Sequence, residues 1–107
     1  MSKIEVVIGI DIGGTFTKYG VVDKFGNCLD ERFISTNKFT DFDIYLEHLQ
    51  TEIEEMVQSV NNVEIKGIGI GAPNGNYYRG TIENAPNLHW KGTVNFVHEI
   101  KKFYPNI

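Results

Sequence analysis

A carboxylate, two glycines, a hydroxyl and an amine lie within eight positions of the stretch GIDIGGTFTKYGVV: Asp11, Gly13, Gly14, Thr15 and Lys18. Two glycines between apolar runs allow a tight turn with positive φ, and without side chains their N–H groups can approach a bound anion. Thr15 would add a hydroxyl donor, and Lys18 would add a cation. Asp11 could hold a metal-bound water or orient phosphates through a divalent ion. The spacing is therefore typical of a phosphate-binding turn.

A purely structural interpretation of the same stretch is also open. Gly-Gly is common in tight hairpins, and under this interpretation Asp11 simply ends a strand. Other phosphate-binding motifs fit worse, because the chain contains no G-x-x-x-x-G-K-[ST] sequence. In GIGIGAPNG, the third glycine of a dinucleotide fingerprint is replaced by Asn74. Composition alone favours the structural hairpin, so the choice depends on further motifs.

Length and composition limit what this turn can belong to. With 107 residues the chain is one domain at most, and we assign residues 1–107 to a single lobe. A net charge of -4 argues against a nucleic-acid footprint, and the single cysteine, Cys28, permits no internal disulfide. No stretch approaches the roughly 18 apolar residues of a membrane span. We therefore expect a cytoplasmic protein with no nucleic-acid or membrane partner.

Alternating element types are predicted along the chain, with strands at 5–12, 16–22, 28–35 and 63–73 and helices at 41–60 and 94–103. The first strand is almost continuously apolar, which predicts coverage on both faces. Short connections make the first three strands an antiparallel meander. A helix before the fourth strand predicts a crossover that leaves it parallel to the first. Thr40, with Asp43 three residues later, resembles a helix capping box.

Two separated motifs now carry a family resemblance. GIDIGGTFTK resembles the first phosphate-binding motif of the ROK family of sugar kinases and repressors, within the actin and hexokinase superfamily. GIGIGAPNG followed by GTIENAPNLHWKG is similar to the block that borders the sugar in that family. The resemblance implies an α/β, ribonuclease H-like ATPase lobe. Its mixed five-stranded sheet would combine the antiparallel meander with a parallel strand and flanking helices.

The resemblance also implies roles for single residues. Asp11 would lie near the transferred phosphate and its Mg²⁺, and Gly13, Gly14, Thr15 and Lys18 would surround the phosphates of ATP. On the sugar side, the resemblance implies contacts from Asn74, Gly75 and Asn87. Family members usually have glycine directly after the proline, whereas here Asn74 follows it, so the sugar contacts are expected to be altered. Trp90 is expected to pack within its loop rather than to stack on the sugar.

The general base of the family is an aspartate in an Asn-Asp pair, which we expect C-terminal to Ile107. No catalytic residue is therefore assigned within the chain, and we expect it to be an inactive fragment of an ATP-dependent hexose kinase, of the glucose type. A sugar-sensing transcriptional regulator and a nucleotide-binding module without catalysis are the alternatives. Apolar faces left bare by the missing half predict a homo-oligomer.

Overall fold

The computed structural model describes residues 3–72, 75–76, 80–83, 90, 93–105 and 107. In chain order, its elements are β1 (Ile4–Ile12), β2 (Phe16–Asp23), β3 (Cys28–Ser35), α1 (Phe42–Ser59), β4 (Val63–Gly71), β5 (Gly75–Asn76), β6 (Thr81–Glu83), β7 (Thr93–Val94) and α2 (Phe96–Ile100). The α/β class is confirmed. The last helix is shorter than predicted, because Val94 pairs in a strand and Asn95 precedes the helix as its N-cap.

The main sheet has the strand order β3-β2-β1-β4. Strands β1, β2 and β3 are antiparallel neighbours, and β4 is parallel to β1, so the predicted meander and crossover are confirmed. Within the described residues this sheet contains four strands, whereas the resemblance implied five. Strands β5, β6 and β7 form a separate small antiparallel sheet.

The first strand is covered on one face only, which corrects the prediction of coverage on both faces. Buried side chains alternate with exposed positions along β1, as the period of two in a strand requires. The buried set points into the core: Val6, Ile8, Ile10 and Ile12. The opposite face carries Val7 and Asp11 in exposed positions, so Asp11 lies on the open side of the sheet.

Helix α1 covers the inner face of the sheet with one apolar stripe. Its buried side chains are Tyr45, Leu46, Leu49, Gln50, Ile53 and Met56. The helix begins after Asp41, whose side chain accepts hydrogen bonds from the N–H groups of Asp43 and Ile44. The predicted cap at Thr40 is therefore wrong by one residue. Aspartate and threonine are both favourable N-caps, so composition alone did not separate them.

The core continues from α1 to the C-terminal part of the chain. Phe42 contacts both Trp90 and Phe96, with ring centroids 5.1 Å and 5.7 Å away. Trp90 is buried, as the sequence predicted for a packing residue. Trp90 and Phe96 therefore pack against the same helix that covers the main sheet. None of the helices in the described part of the chain has the length and hydropathy needed to cross a bilayer.

Candidate phosphate-binding site

The glycine turn connects β1 to β2 and is closed by a main-chain hydrogen bond. The N–H of Gly13 donates to the carbonyl of Phe16 at 2.9 Å. A Cβ atom on Gly13 would lie 2.9 Å from that same carbonyl oxygen, which is closer than real Cβ contacts allow. Gly13 is thus needed for this close approach. Positive φ occurs among the described glycines at Gly26 and Gly80, so the double glycine does not adopt the positive φ that its residue type allows.

Two amides at the apex of the turn remain free for a ligand. The N–H groups of Gly14 and Thr15 have no acceptor among the residues that the structure describes. Gly14 is half-buried and Thr15 is exposed, so this part of the turn is accessible to solvent. The N–H of Gly13 is already hydrogen-bonded within the turn. The turn therefore presents two adjacent donors, a geometry suited to an anion.

Asp11 brings the phosphate motif next to the second motif. It pairs with Gly71 across the parallel strands β1 and β4, whose carboxyl ends meet at one edge of the sheet. A Cβ on Gly71 would lie 3.7 Å from the carboxylate oxygen Oδ1 of Asp11. Gly71 is also the last residue of β4, immediately before the predicted sugar-side turn. Ligands of α/β sheets bind outside the carboxyl ends of parallel strands, and Asp11 is in that position.

Lys18 lies opposite Asp11 in the antiparallel pairing of β1 and β2. Its ammonium nitrogen Nζ is 3.9 Å from a carboxylate oxygen of Glu31 on β3, and both side chains are about half exposed. Exposed pairs of this kind contribute at most about 1 kcal/mol, so Glu31 does not hold the ammonium firmly. Lys18 is therefore on the same face as Asp11, with its charge directed towards β3 rather than towards the turn.

The residues predicted on the sugar side are described only in part. Asn74 and Asn87 lie outside the described residues. Gly75 opens β5 and pairs with Ile82 of β6, so a short antiparallel pair follows the second motif. In the described part of the chain, no group of three or more His, Cys, Asp or Glu residues could hold a metal ion. Asp11 alone remains as the predicted contact for a hydrated Mg²⁺ ion.

Three buried hydroxyl groups lie beneath the turn, and the sequence analysis missed them. The Oγ1 atom of Thr17 is 2.7 Å from the Tyr45 hydroxyl and 2.6 Å from Oγ1 of Thr36. All three side chains are fully buried. Burial raises the pKa of Tyr45 to about 12, although its hydrogen bond with Thr17 acts in the opposite direction. Tyr45 falls on the apolar stripe of α1, so periodicity alone predicts that it is buried. The sequence does not predict which hydroxyl groups it bonds to.

The hydroxyl groups are connected to the apex of the turn through the main chain. The N–H of Thr36 donates to the carbonyl of Thr15 at 2.8 Å. Helix α1, the inner face of β2 and the segment after β3 are therefore joined beneath Thr15. On its other side, the Tyr45 ring contacts Trp90, with ring centroids 5.1 Å apart.

Comparisons with known proteins indicate the family of this chain. A family model described as the ROK family matches residues 7–105. Glucokinases from Streptomyces coelicolor and Streptomyces lividans are each 36% identical to this chain over 88 residues, which is 80% of this chain and 26% of each relative. The chain thus spans about a quarter of the length of these relatives.

Two solved structures share the fold. A ROK family glucokinase from Streptomyces griseus, solved in complex with glucose and AMPPNP, superposes with a TM-score of 0.77 at 23% identity over 94% of this chain and 30% of that one. A candidate sugar kinase from Cytophaga hutchinsonii gives a TM-score of 0.73 at 26% identity, over 95% of this chain and 34% of that one. Because the family model covers nearly the whole sequence, this chain belongs to the ROK family.

Proposed function

We propose that this chain is the N-terminal lobe of a sugar kinase that transfers the γ-phosphoryl group of ATP to a hydroxyl group of a hexose, of the glucose type. One observation carries the proposal. The N–H groups of Gly14 and Thr15, which have no acceptor in the described part of the chain, lie in the turn that directly follows β1, and Asp11 is near the end of that strand. Similarity to the Streptomyces glucokinases supports the same assignment.

On the nucleotide side, each residue has a distinct role. The amides of Gly14 and Thr15 and the Thr15 hydroxyl donate hydrogen bonds to phosphate oxygens. Gly13 shapes the turn so that these donors point outwards. Lys18 can leave its weak pairing with Glu31 and add positive charge on the same face. These groups suit phosphoryl transfer, in which the protein contributes mainly positioning and charge neutralisation.

Asp11 is the residue that would hold Mg²⁺, through a coordinated water molecule. Its carboxylate is exposed at the strand end, and hard divalent cations prefer oxygen ligands. When bound, Mg²⁺ would neutralise charge on the phosphate oxygens. Asp11 itself orients that hydrated cation relative to the turn.

On the sugar side, we propose contacts from Asn74, Gly75 and Asn87. The segment that begins at Gly71 starts beside Asp11, so the sugar hydroxyl can approach the phosphate from this direction. The general base is proposed C-terminal to Ile107, and the isolated chain is therefore expected to be inactive. We further propose that the full-length protein is cytoplasmic and forms homo-oligomers.

Kinetics of the full-length protein that carries this chain test the proposal. With Mg-ATP we expect phosphorylation of glucose in preference to N-acetylmannosamine or fructose, and no turnover by residues 1–107 alone. Asp11→Asn should lower kcat by at least roughly 100-fold. Asp43→Asn, at an exposed position in the first turn of α1, is the matched control and should leave kcat unchanged.

A full-length protein that phosphorylates no sugar would refute the proposed function. Sugar binding without phosphoryl transfer would favour the sensor alternative. Turnover by residues 1–107 alone would refute the inference that the general base lies beyond Ile107.

A further inference from the structure

The hydroxyl groups of Thr17, Thr36 and Tyr45 form a connected network in an otherwise apolar region. Two hydrogen bonds of 2.6 Å and 2.7 Å meet at Oγ1 of Thr17, one with the Thr36 hydroxyl and one with the Tyr45 hydroxyl. The side chains around Tyr45 are apolar or aromatic, including Phe39 and Trp90. The network therefore has a single centre, and its geometry is set by three different elements of the fold.

Stability alone does not explain this network. A buried hydroxyl group loses its hydrogen bonds to water, and the bonds that it makes in the protein return only a small net gain. Replacing a fully bonded set by apolar side chains of the same shape is often nearly neutral. Buried polar networks instead favour one specific arrangement of the groups they join. The question is then which arrangement this network fixes.

The hydroxyl network is connected to the glycine turn on one side and to helix α1 on the other. Thr17 lies in β2, two residues after Thr15. The N–H of Thr36 donates a hydrogen bond of 2.8 Å to the Thr15 carbonyl. The Thr15 carbonyl and the Thr15 N–H belong to two consecutive peptide groups, so fixing the first restricts the second. Tyr45 anchors the network to helix α1, and its ring is packed between Phe39 and Trp90. The network thereby connects the turn to helix α1 and to the segment after β3.

We propose that Tyr45 is a positioning residue for nucleotide binding. It acts through the hydroxyl groups of Thr17 and Thr36 to hold Thr15 in place, and with it the two N–H donors of the turn. The proposal rests on the proposed function, because it assumes that the turn binds the phosphates of ATP. Tyr45 touches no substrate in this account. Its hydroxyl group preorganises donors that would otherwise have to be ordered when the nucleotide binds.

The test compares variants of the full-length protein that carries this chain. Tyr45→Phe removes one hydroxyl group and keeps the ring. We expect the KM for Mg-ATP and the dissociation constant for Mg-AMPPNP to rise roughly five- to tenfold, the effect of about one buried hydrogen bond. The KM for glucose should stay within about twofold, because the hydroxyl group faces the nucleotide turn.

A second variant separates positioning from stability. The triple variant Thr17→Val, Thr36→Val, Tyr45→Phe replaces the whole network by apolar side chains of similar shape. It should keep a melting temperature near that of the wild type and still bind Mg-AMPPNP more weakly than Tyr45→Phe does. Ile53→Val, two turns further along α1, is the control, because it weakens the same core without touching the network. It should lower the melting temperature and leave both constants unchanged.

The outcomes separate this proposal from the proposed function. If the wild type phosphorylates sugar and Tyr45→Phe changes only the melting temperature, the positioning role is refuted and the kinase assignment stands. If the wild type binds Mg-AMPPNP without phosphorylating any sugar, the proposed function fails, and weaker binding by the variants still supports the positioning role. A wild type that does not bind the nucleotide refutes both.

Discussion

At the scale of single residues, the turn between β1 and β2 is organised by one main-chain hydrogen bond, from the N–H of Gly13 to the carbonyl of Phe16. The sequence pointed to Asp11, the double glycine and Thr15 as one group, and the fold places them around one turn. The pairing of Ile12 with Thr17 brings Gly13 opposite Phe16 and uses its N–H. That register depends on strand pairing. A sequence without coordinates could therefore not tell which glycine amide remains free.

Gly13→Ala tests the close approach within the turn. The added methyl group would lie 2.9 Å from the Phe16 carbonyl, and a backbone atom cannot move away cheaply. We expect the free energy of unfolding of this chain to fall by about 1–3 kcal/mol. Gly9→Ala is the matched control in β1, because nothing lies within 4 Å of its added methyl group. Urea unfolding should show Gly9→Ala to be neutral or slightly stabilising. Equal losses in both variants would contradict this account of the turn.

Tyr45 should make stability depend on pH in the alkaline range. Its pKa in the folded protein is about 12, against 10.0 as the ordinary value. Between these values the unfolded chain releases the proton and the folded chain keeps it. The stabilising contribution is complete below pH 10 and is lost as the pH rises towards 12, at up to about 1.4 kcal/mol per pH unit.

Tyr45→Phe isolates this contribution from that of other tyrosines. The difference in unfolding free energy between wild type and variant should shrink as the pH rises above 10, because only the wild type carries the ionising group. Urea midpoints at pH 9, 10 and 11 measure it. Parallel profiles of the two proteins would show that Tyr45 ionises normally.

At the scale of elements, periodicity predicted which segments form strands and helices. It did not predict which face of β1 is covered, because both faces of that strand carry apolar residues. Val7 lies on the open face of β1, while Val6 and Ile8 lie in the core. All three residues are β-branched and apolar, so the sequence contains no alternation to read. Coverage of a face depends on where α1 packs, which is a property of the tertiary structure. The start of α1 was also ambiguous in the sequence, because Thr40 and Asp41 are both residue types that can cap a helix.

The cap of α1 can be tested directly. Asp41→Ala removes the acceptor of the N–H groups of Asp43 and Ile44, which lie 2.9 Å and 3.2 Å away. We expect a loss of about 1 kcal/mol in the free energy of unfolding. Thr40→Ala is the control and should change the free energy little. A larger loss at Thr40 than at Asp41 would place the cap where the sequence alone suggested it.

At the scale of the whole molecule, the main sheet has one bare face. Val7, Phe16 and Phe33 are exposed there, with 43%, 59% and 60% of their surfaces accessible. Gly9, Gly20 and Gly69 form a row across β1, β2 and β4 of the same sheet. Patches of this kind usually mark a contact surface. The sequence predicted bare apolar faces but not their location, because the location depends on which side of the sheet α1 covers.

We expect the isolated chain to associate through this face. Phe33→Ser removes an exposed aromatic ring from the patch and should lower the fraction of dimer or larger species in sedimentation velocity experiments. Phe25→Ser is the matched control, because Phe25 is 77% exposed but lies in the turn between β2 and β3. A chain that remains monomeric at high concentration would refute the expectation of self-association.

The central claim is that the turn between β1 and β2 binds phosphate through its free amides. Titration of the full-length protein with Mg-AMPPNP, followed by the amide chemical shifts of Gly13, Gly14 and Thr15, tests it most directly. The account predicts large shifts at Gly14 and Thr15 and a smaller one at Gly13, whose N–H stays bonded to Phe16. Nucleotide binding that leaves the Gly14 and Thr15 amides unperturbed would contradict the claim.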